Sequence, residues 1–228
     1  MLIPSIDLLG GRIVQLVQGE KLRLAFDDFE YWIERFSRFP IVQLIDLDAA
    51  MRTGDNSALV TQITRRLPCQ VGGGIRSIDR ARQILDSGAQ RVIVGSALFS
   101  SADGQGLVNN EFASELAGEI GVDRVVAGID TKDGRIAVKG WKAHVNLTPD
   151  EAIPQLEPYA SAFLYTHVDG EGLMGGFPIE VAARLRNLTN RQLVVAGGIR
   201  STEEVERLHA LGADAVVGMA VYTEMLTI

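Results

Sequence analysis

The chain of 228 residues is 46% hydrophobic and 22% charged, a composition typical of a folded protein with a sizeable core and not of a disordered chain. Its net charge of −7 argues against a broad nucleic-acid surface, so no nucleic-acid partner is expected. The N-terminus shows no basic leader before a long apolar run, and no stretch approaches the roughly 20 apolar residues that span a bilayer; neither a signal peptide nor a membrane partner is expected.

Short runs rich in β-branched residues alternate with amphipathic helical patterns along the chain. Helical stretches such as "STEEVERLHALG" carry a Ser at the start, acids in the first turn and a Gly at the end, which are the usual helix boundary signals. Eight such β–α units predict a (β/α)8 TIM barrel as a single domain over residues 1–228, with a doubly wound open sheet as the alternative. The predicted strands lie near residues 2–6, 41–46, 69–72, 91–95, 124–130, 161–166, 192–196 and 214–218.

The chain also repeats itself. Residues 72–89, which begin "GGGIRS", share seven identities in eighteen positions with residues 196–213, which begin "AGGIRS". With one residue lost, "VIVGSALF" aligns with "AVVGMAVY", and "SIDLLGGRI" aligns with "GIDTKDGRI". The repeat predicts two half-barrels of four strands, about 1–120 and 121–228, which an open sheet would not explain. The halves cannot be separate domains, because each would leave an open apolar sheet edge.

The repeated glycine phrases are predicted to follow strands, at the end of a parallel barrel that carries its ligand-binding loops. Glycines let the backbone approach a ligand, and the helix N-terminus that follows favours an anion, although strand-to-helix turns often need glycine for their own geometry. Because the phrase occurs twice, we predict two phosphate sites and a small-molecule bisphosphate ligand. The candidate phosphate-binding residues are Gly73, Gly74, Arg76, Gly95 and Ser96 in the first half, and Gly197, Gly198, Arg200, Gly218 and Met219 in the second.

Two aspartates occupy matching positions in the two halves. Asp7 and Asp130 end the first and fifth strands, which are diametrically opposed in an eight-stranded barrel. Two carboxylates facing one ligand suit general acid–base catalysis, and the alternative is that each caps a loop. Asp46 and Asp48, in "IDLDAA", fit either a supporting role beside a site or buried hydrogen-bonded acids.

Three further residues are candidates for lining the site. Trp141 lies between lysines and a glycine, a setting typical of a loop, where its ring could stack on a planar ligand group. Thr166 and Asp169 follow the predicted sixth strand. The one cysteine and three scattered histidines make a metal cluster improbable, and Cys69 is interpreted as a small core residue in a protein of the reducing cytoplasm.

These motifs resemble the phosphoribosylformimino-5-aminoimidazole carboxamide ribotide isomerases of histidine biosynthesis. The resemblance rests on "IPSIDLLGGRIVQLVQG", "IDLDAA", "VGGGIRS", "GIDTKDGRIAVKGW", "AGGIRS" and "VVGMAVY", and it covers nearly the whole chain in order. It implies an Amadori rearrangement of a bisphosphorylated aminoaldose to an aminoketose, without metal or organic cofactor. It further implies that Asp130 is the general acid and Asp7 the general base.

The chain departs from the family pattern at Gln15, where arginine is usual, and at Gln43 and His167. Two related functions stay open as alternatives: the cyclase subunit of imidazole glycerol phosphate synthase, whose first strand usually reads differently, and a tryptophan-pathway phosphoribosyl isomerase, which usually carries cysteine where this chain has Asp7. A non-catalytic phosphosugar-binding barrel is the alternative from another class. We expect a monomer.

Overall fold

The computed structural model describes residues 1–102 and 105–228. Eight parallel strands pair in chain order, and the last pairs with the first, as in Pro4 beside Val217. The sheet is therefore a closed (β/α)8 barrel, as predicted, and the open-sheet alternative is wrong. The strands are β1 (Leu2–Leu9), β2 (Val42–Asp46), β3 (Cys69–Gly72), β4 (Arg91–Val94), β5 (Val125–Lys132), β6 (Ala162–His167), β7 (Gln192–Ala196) and β8 (Ala213–Val217).

The strands β1 and β5 run two or three residues further than predicted because each continues into an antiparallel hairpin. The return strands are Arg12–Val17 and Arg135–Val138, and further short strands are Lys21–Phe26, Phe99–Ala102, Gln105–Val108 and Ala143–His144. The two hairpin turns have matching left-handed backbones, with φ of 57° and 75° at Gly10 and Gly11, and 52° and 74° at Asp133 and Gly134. Two consecutive left-handed residues are the geometry of the tight turn that suits twisted strands. The repeat is thus preserved in the backbone as well as in the sequence.

Helices cover the outside of the barrel, and serines begin two of them. The side chains of Ser77 and Ser201 accept hydrogen bonds from the backbone N–H groups of Arg80 and Glu204, satisfying donors that the helix leaves free. The barrel helices are α1 (Phe29–Phe36), α2 (Ser57–Thr64), α3 (Ile78–Asp86), α4 (Asn110–Ile120), α5 (Pro149–Leu156), α6 (Ile179–Arg186), α7 (Thr202–Ala210) and α8 (Met219–Tyr222), with a short helix at Leu47–Met51.

The apolar residues of strands and helices form a continuous core. Cys69 lies fully buried in it, as the sequence predicted. Trp32 of α1 is buried against Tyr222 of α8, with ring centroids 4.2 Å apart, so the first and last helices pack together. No helix within the described residues is both long and apolar enough to cross a membrane.

Candidate active site

A pocket opens at the carboxyl ends of the barrel strands and brings together most of the predicted site residues. Glycine turns from both halves line it, together with two opposed aspartates and a tryptophan from the β5 hairpin. The predicted residues that line the pocket are Asp7, Gly73, Gly74, Arg76, Gly95, Ser96, Asp130, Trp141, Thr166, Gly197, Gly198, Gly218 and Met219. This is the end of the barrel at which ligands bind in proteins of this fold.

Asp7 is on β1, and its half-buried side chain lines the pocket. The hydroxyl of Ser5, two residues earlier on the same face of the strand, donates a hydrogen bond to Asp7 Oδ1 at 2.9 Å. Burial raises the pKa of Asp7 from its ordinary value of 3.8 to about 6, since the charged form loses hydration, and the Ser5 bond offsets part of that rise. At neutral pH the group is mainly ionised and is able to accept a proton.

Asp130 is on β5, on the opposite side of the barrel. The indole Nε1 of Trp141 donates a hydrogen bond to Asp130 Oδ2 at 2.8 Å, and Thr166 is its direct neighbour on β6. Burial raises the pKa of Asp130, while hydrogen bonding to Trp141 and Thr166 opposes that rise. A carboxyl group whose pKa is raised is suited to holding a proton and giving it to a ligand.

A third carboxyl group, which the sequence did not reveal, faces the same pocket. Glu171 lies in the loop after β6 and lines the pocket with the two aspartates. Its pKa is raised to about 8, mainly by burial and then by the negative charges of Asp7 and Asp130. At neutral pH Glu171 is therefore mainly protonated, and its carboxyl group is able to donate a hydrogen bond.

The cradle after β3 and β4 combines backbone amides with one cation. Among the pocket-lining residues within the described parts of the chain, Arg76 is the one with a cationic side chain. Its guanidinium donates to the carbonyl oxygens of Ala49 at 3.1 Å and Ala50 at 2.6 Å, which hold it in place. Burial, and then the charge of Arg52, lower its pKa. The Ser96 hydroxyl accepts a hydrogen bond from the backbone N–H of Lys139 at 2.9 Å, which ties this cradle to the β5 hairpin.

The cradle after β7 and β8 repeats the backbone of the first. Gly95 and Gly218 have nearly the same conformation, with φ and ψ of −112° and −94° in one and −107° and −94° in the other. Gly73 and Gly197 match as well, with φ of 103° and 105°. Two glycine turns with nearly the same backbone therefore face the pocket from opposite sides.

Glycine is required at positions 73 and 197 by the packing of the chain itself, and not first by the approach of a ligand. A side chain at Gly73 would run into the backbone of Asp46, and one at Gly197 would run into the backbone of His167. These glycines allow two chain segments to pack closely, in addition to a left-handed backbone that other residues rarely adopt. Their first role is therefore to build the turn, and any approach of a ligand to their amides depends on that turn.

Two predicted site residues lie elsewhere. Arg200 is exposed and pairs with Glu204 at 3.4 Å on the first turn of α7, so its charge is turned away from the pocket. The carboxylate of Asp169 accepts a hydrogen bond from the backbone N–H of Asp133 at 3.1 Å, which holds the turn of the β5 hairpin. Neither residue is part of the pocket lining, in contrast to the other predicted site residues.

Asp46 and Asp48 are hydrogen-bonded structural acids. Asp46 is 1% exposed and accepts from the backbone N–H groups of Ala49 and Asn56 and from the Asn56 side chain. Asp48 accepts from Asn56 and from the backbone N–H of Gly10 at 2.6 Å. They hold the β1 hairpin and the β2 loop together, so the second of the two sequence interpretations fits the structure.

Of the three departures from the family pattern, two line the pocket. Gln15 is 2% exposed and its carboxamide lies against Gly218 of the second cradle. Gln43 accepts a hydrogen bond from the buried Gln70 side chain at 3.1 Å. His167 contributes backbone to the packing of Gly197, but its side chain lies outside the lining. The second cradle therefore offers a neutral amide where the first offers a guanidinium.

Neither a metal-binding cluster nor a reactive thiol occurs among the described residues. In the described parts of the chain no three histidine, cysteine, aspartate or glutamate side chains form a group that could hold a metal ion. Burial raises the pKa of the Cys69 thiol to about 12, so it is neutral and unreactive at physiological pH.

Comparison with known proteins gives a consistent result. The family described as "Histidine biosynthesis protein" matches residues 1–227. The chain is similar to proteins named 1-(5-phosphoribosyl)-5-((5-phosphoribosylamino)methylideneamino) imidazole-4-carboxamide isomerase. The one from Methanocaldococcus jannaschii is 32% identical over 99% of this chain and 95% of the relative, and the one from Methanopyrus kandleri is 34% identical over 97% and 92%. A third, from Methanothermobacter thermautotrophicus, is 32% identical over 99% of this chain and 95% of the relative.

Proposed function

Because the chain belongs to the histidine biosynthesis protein family, we propose that its two opposed aspartates divide the proton transfers of an Amadori rearrangement between them. The protein is an aldose–ketose isomerase of histidine biosynthesis, which converts the phosphoribosylformimino aminoaldose to its aminoketose isomer. The cyclase and the non-catalytic barrel are not favoured by the relatives.

The observation that carries the proposal is the arrangement of Asp7 and Asp130. Each lines the pocket two residues before the end of its strand, and the two glycine cradles lie on either side. A ligand with a phosphate at each end would place its reacting sugar between the two carboxyl groups. Two acids whose surroundings differ suit opposite proton-transfer roles.

The rearrangement requires proton transfers only. Asp130 donates its proton to the ribose ring oxygen; the bond from that oxygen to C1′ breaks, and the nitrogen lone pair forms a C1′=N Schiff base. Asp7, ionised at neutral pH because its pKa is about 6, then removes the proton from C2′. The freed electron pair forms the C1′=C2′ enolamine, which becomes the C2′ ketone when C1′ gains a proton and the 2′-hydroxyl loses one.

Trp141 and Glu171 support these steps. The Trp141 indole orients the Asp130 carboxyl group through its hydrogen bond and presents its ring to the pocket, where it would stack on the planar imidazole carboxamide. The protonated carboxyl group of Glu171 adds a hydrogen-bond donor without adding a further negative charge beside a bisphosphate.

The test is a spectroscopic assay of the purified protein with the aminoaldose, with an independently prepared cyclase and its glutaminase reporting the product. We expect turnover by the wild type and a loss of at least about a hundredfold in kcat for Asp130→Asn, the lower range for a general acid or base. Asp123→Asn, at an exposed acid outside the pocket, is the matched control. Near-normal turnover by Asp130→Asn would refute the general-acid role.

Three finer points belong to the same proposal. We propose one domain over the whole chain, since every barrel strand is hydrogen-bonded on both sides within it. We propose a monomer, because the eight strands of one chain close the barrel around the pocket. The cytoplasm is the proposed compartment, in keeping with a single buried cysteine. Sedimentation would test the oligomeric state.

A further inference from the structure

The strands Arg12–Val17 and Lys21–Phe26 form a second hairpin after β1, and its tip meets the loop after β6. Gln18, at the tip of this hairpin, donates two hydrogen bonds to that loop. Its backbone N–H donates to the carbonyl oxygen of Glu171 at 3.0 Å, and its side-chain Nε2 donates to the carbonyl oxygen of Asp169 at 3.0 Å. One residue therefore grips the β6 loop at two points, on either side of Gly170.

The backbone at the hairpin tip adopts a conformation that needs support. Gln18 has a φ of 52°, in the left-handed region that residues with a side chain rarely adopt. Such a conformation persists where the surroundings fix it, and it is found frequently at functional sites. The two bonds to the β6 loop supply that fixation.

The same tip also meets the tryptophan of the β5 hairpin. The Trp141 ring lies so close to Gly19 that no side chain would fit there. Lys139, Gly140 and Trp141 all have positive φ, between 57° and 65°, so the segment that presents the ring is tightly wound. The β6 loop is equally close, because a side chain at Gly172 would strike the hairpin backbone at Leu16. Three loops that carry pocket residues thus meet at Gln18 and Gly19.

We propose that Gln18 is a positioning residue of the isomerase. Its two hydrogen bonds, which we call the latch, connect this second hairpin to the β6 loop and so hold Glu171 and Trp141 in place around the two aspartates. Gln18 itself does not line the pocket and touches none of the reacting groups. It acts through the carbonyl of Glu171 and through the packing of Trp141 on Gly19. This role rests on the proposed isomerisation, because it concerns the arrangement of that reaction's side chains.

The latch predicts that its loss affects kcat and KM to different extents. The phosphate cradles belong to the turns after β3, β4, β7 and β8, so substrate anchoring does not require the latch. Loss of the latch should therefore lower kcat more than it raises KM. One lost hydrogen bond of ordinary strength corresponds to about a fivefold smaller equilibrium constant for forming the closed arrangement.

The experiment compares two variants with one control on the same hairpin. Gln18→Met keeps the length of the side chain and removes its donor, and Gln18→Gly removes the side chain and relieves the left-handed backbone. Arg23→Ala, at an exposed position of the hairpin, is the control. Steady-state kinetics, the melting temperature and acrylamide quenching of tryptophan fluorescence are measured for each. Trp32 is buried, so a change in quenching reports on Trp141.

The expected result is a fall in kcat of up to about fivefold in both Gln18 variants, with KM changed less, together with stronger quenching than in the wild type. The control should behave as the wild type in both measurements. The latch is overturned if both Gln18 variants have the kcat and the quenching of the wild type. It is also overturned if both variants have a lower melting temperature but unchanged quenching.

The quenching measurement also separates this inference from the proposed function. It needs no substrate, so it reports on the latch even if the wild type fails to isomerise the aminoaldose. Failure of the wild type to isomerise the aminoaldose would overturn the assigned reaction. If the Gln18→Met enzyme is active, with normal kcat and unchanged quenching, the latch alone is overturned.

Discussion

Replacing Asp7 by asparagine should abolish most of the activity and at the same time stabilise the fold. The carboxylate is enclosed in the pocket, and its pKa is raised from 3.8 to about 6, mainly by loss of hydration. A carboxyl group whose pKa is higher in the folded state than in the unfolded state favours folding when it is protonated. That contribution is present below about pH 4 and is lost as the pH rises to about 6.

The magnitude follows from the size of the rise in pKa. Each pKa unit is equivalent to about 1.4 kcal/mol, so above pH 6 the ionised Asp7 makes the free energy of unfolding smaller by up to about 3 kcal/mol. Asparagine keeps an oxygen that can accept the Ser5 hydrogen bond and carries no charge. For a chain of this length, a gain of this size raises the melting temperature by about 6 °C or more.

Urea unfolding followed by circular dichroism at pH 8 and at pH 4 would measure the effect. We expect Asp7→Asn to exceed the wild type by about 2–3 kcal/mol at pH 8 and by less than about 1 kcal/mol at pH 4, with kcat lower by at least about a hundredfold. Asp123→Asn should change neither quantity. A variant equally or less stable than the wild type at pH 8, or one with a gain independent of pH, would refute the burial argument.

Three other outcomes follow from the pocket and core. Because the pKa of Asp7 is about 6 and the base must be ionised, kcat/KM should rise through about pH 6, and a flat profile from pH 5 to 8 would contradict the base role. Trp141→Phe removes the donor to Asp130 and should lower kcat/KM about tenfold with little change in melting temperature; it should also abolish the substrate-induced fluorescence change, to which the buried Trp32 does not contribute. The buried Cys69 should react with a thiol reagent only after unfolding in urea.

Much of the fold could be predicted from the sequence because its causes are local. Hydrophobic periodicity, helix boundary signals and glycine turns act within a few residues, and the repeat fixed how the two halves correspond. The extensions of β1 and β5 were missed because the hairpin turns, Gly10–Gly11 and Asp133–Gly134, were interpreted only as part of the repeat.

The different positions of Arg76 and Arg200 have a simple physical origin. The repeat aligns it with Arg76, which lines the pocket, but the residue four positions later differs between the halves. In the second half it is Glu204, which pairs with Arg200 across one helical turn, whereas in the first half it is Arg80, a cation that cannot form such an ion pair with Arg76. This difference was visible in the sequence and could have separated the two arginines.

Glu171 and Gln18 could not have been found in this way. Glu171 lies in an irregular loop, "DGEGLMGG", where no periodicity indicates which side chains point inward. Gln18 is 151 residues from the carbonyl of Asp169 that it contacts. Contacts between loops of different strands depend on the closed barrel, so local sequence patterns carry little information about them.

The closed barrel has two seams where one half meets the other, and their consequence concerns refolding. These seams are the β4–β5 and β8–β1 pairs. If one half of a chain forms first, its two edge strands are exposed at the seams. These edges can pair with the other half of the same chain or equally with that half of another copy. Exchange of halves between chains would close two complete barrels with every strand paired. Dilute refolding therefore favours closure within one chain, and concentrated refolding favours domain-swapped dimers whose pockets combine Asp7 of one molecule with Asp130 of the other.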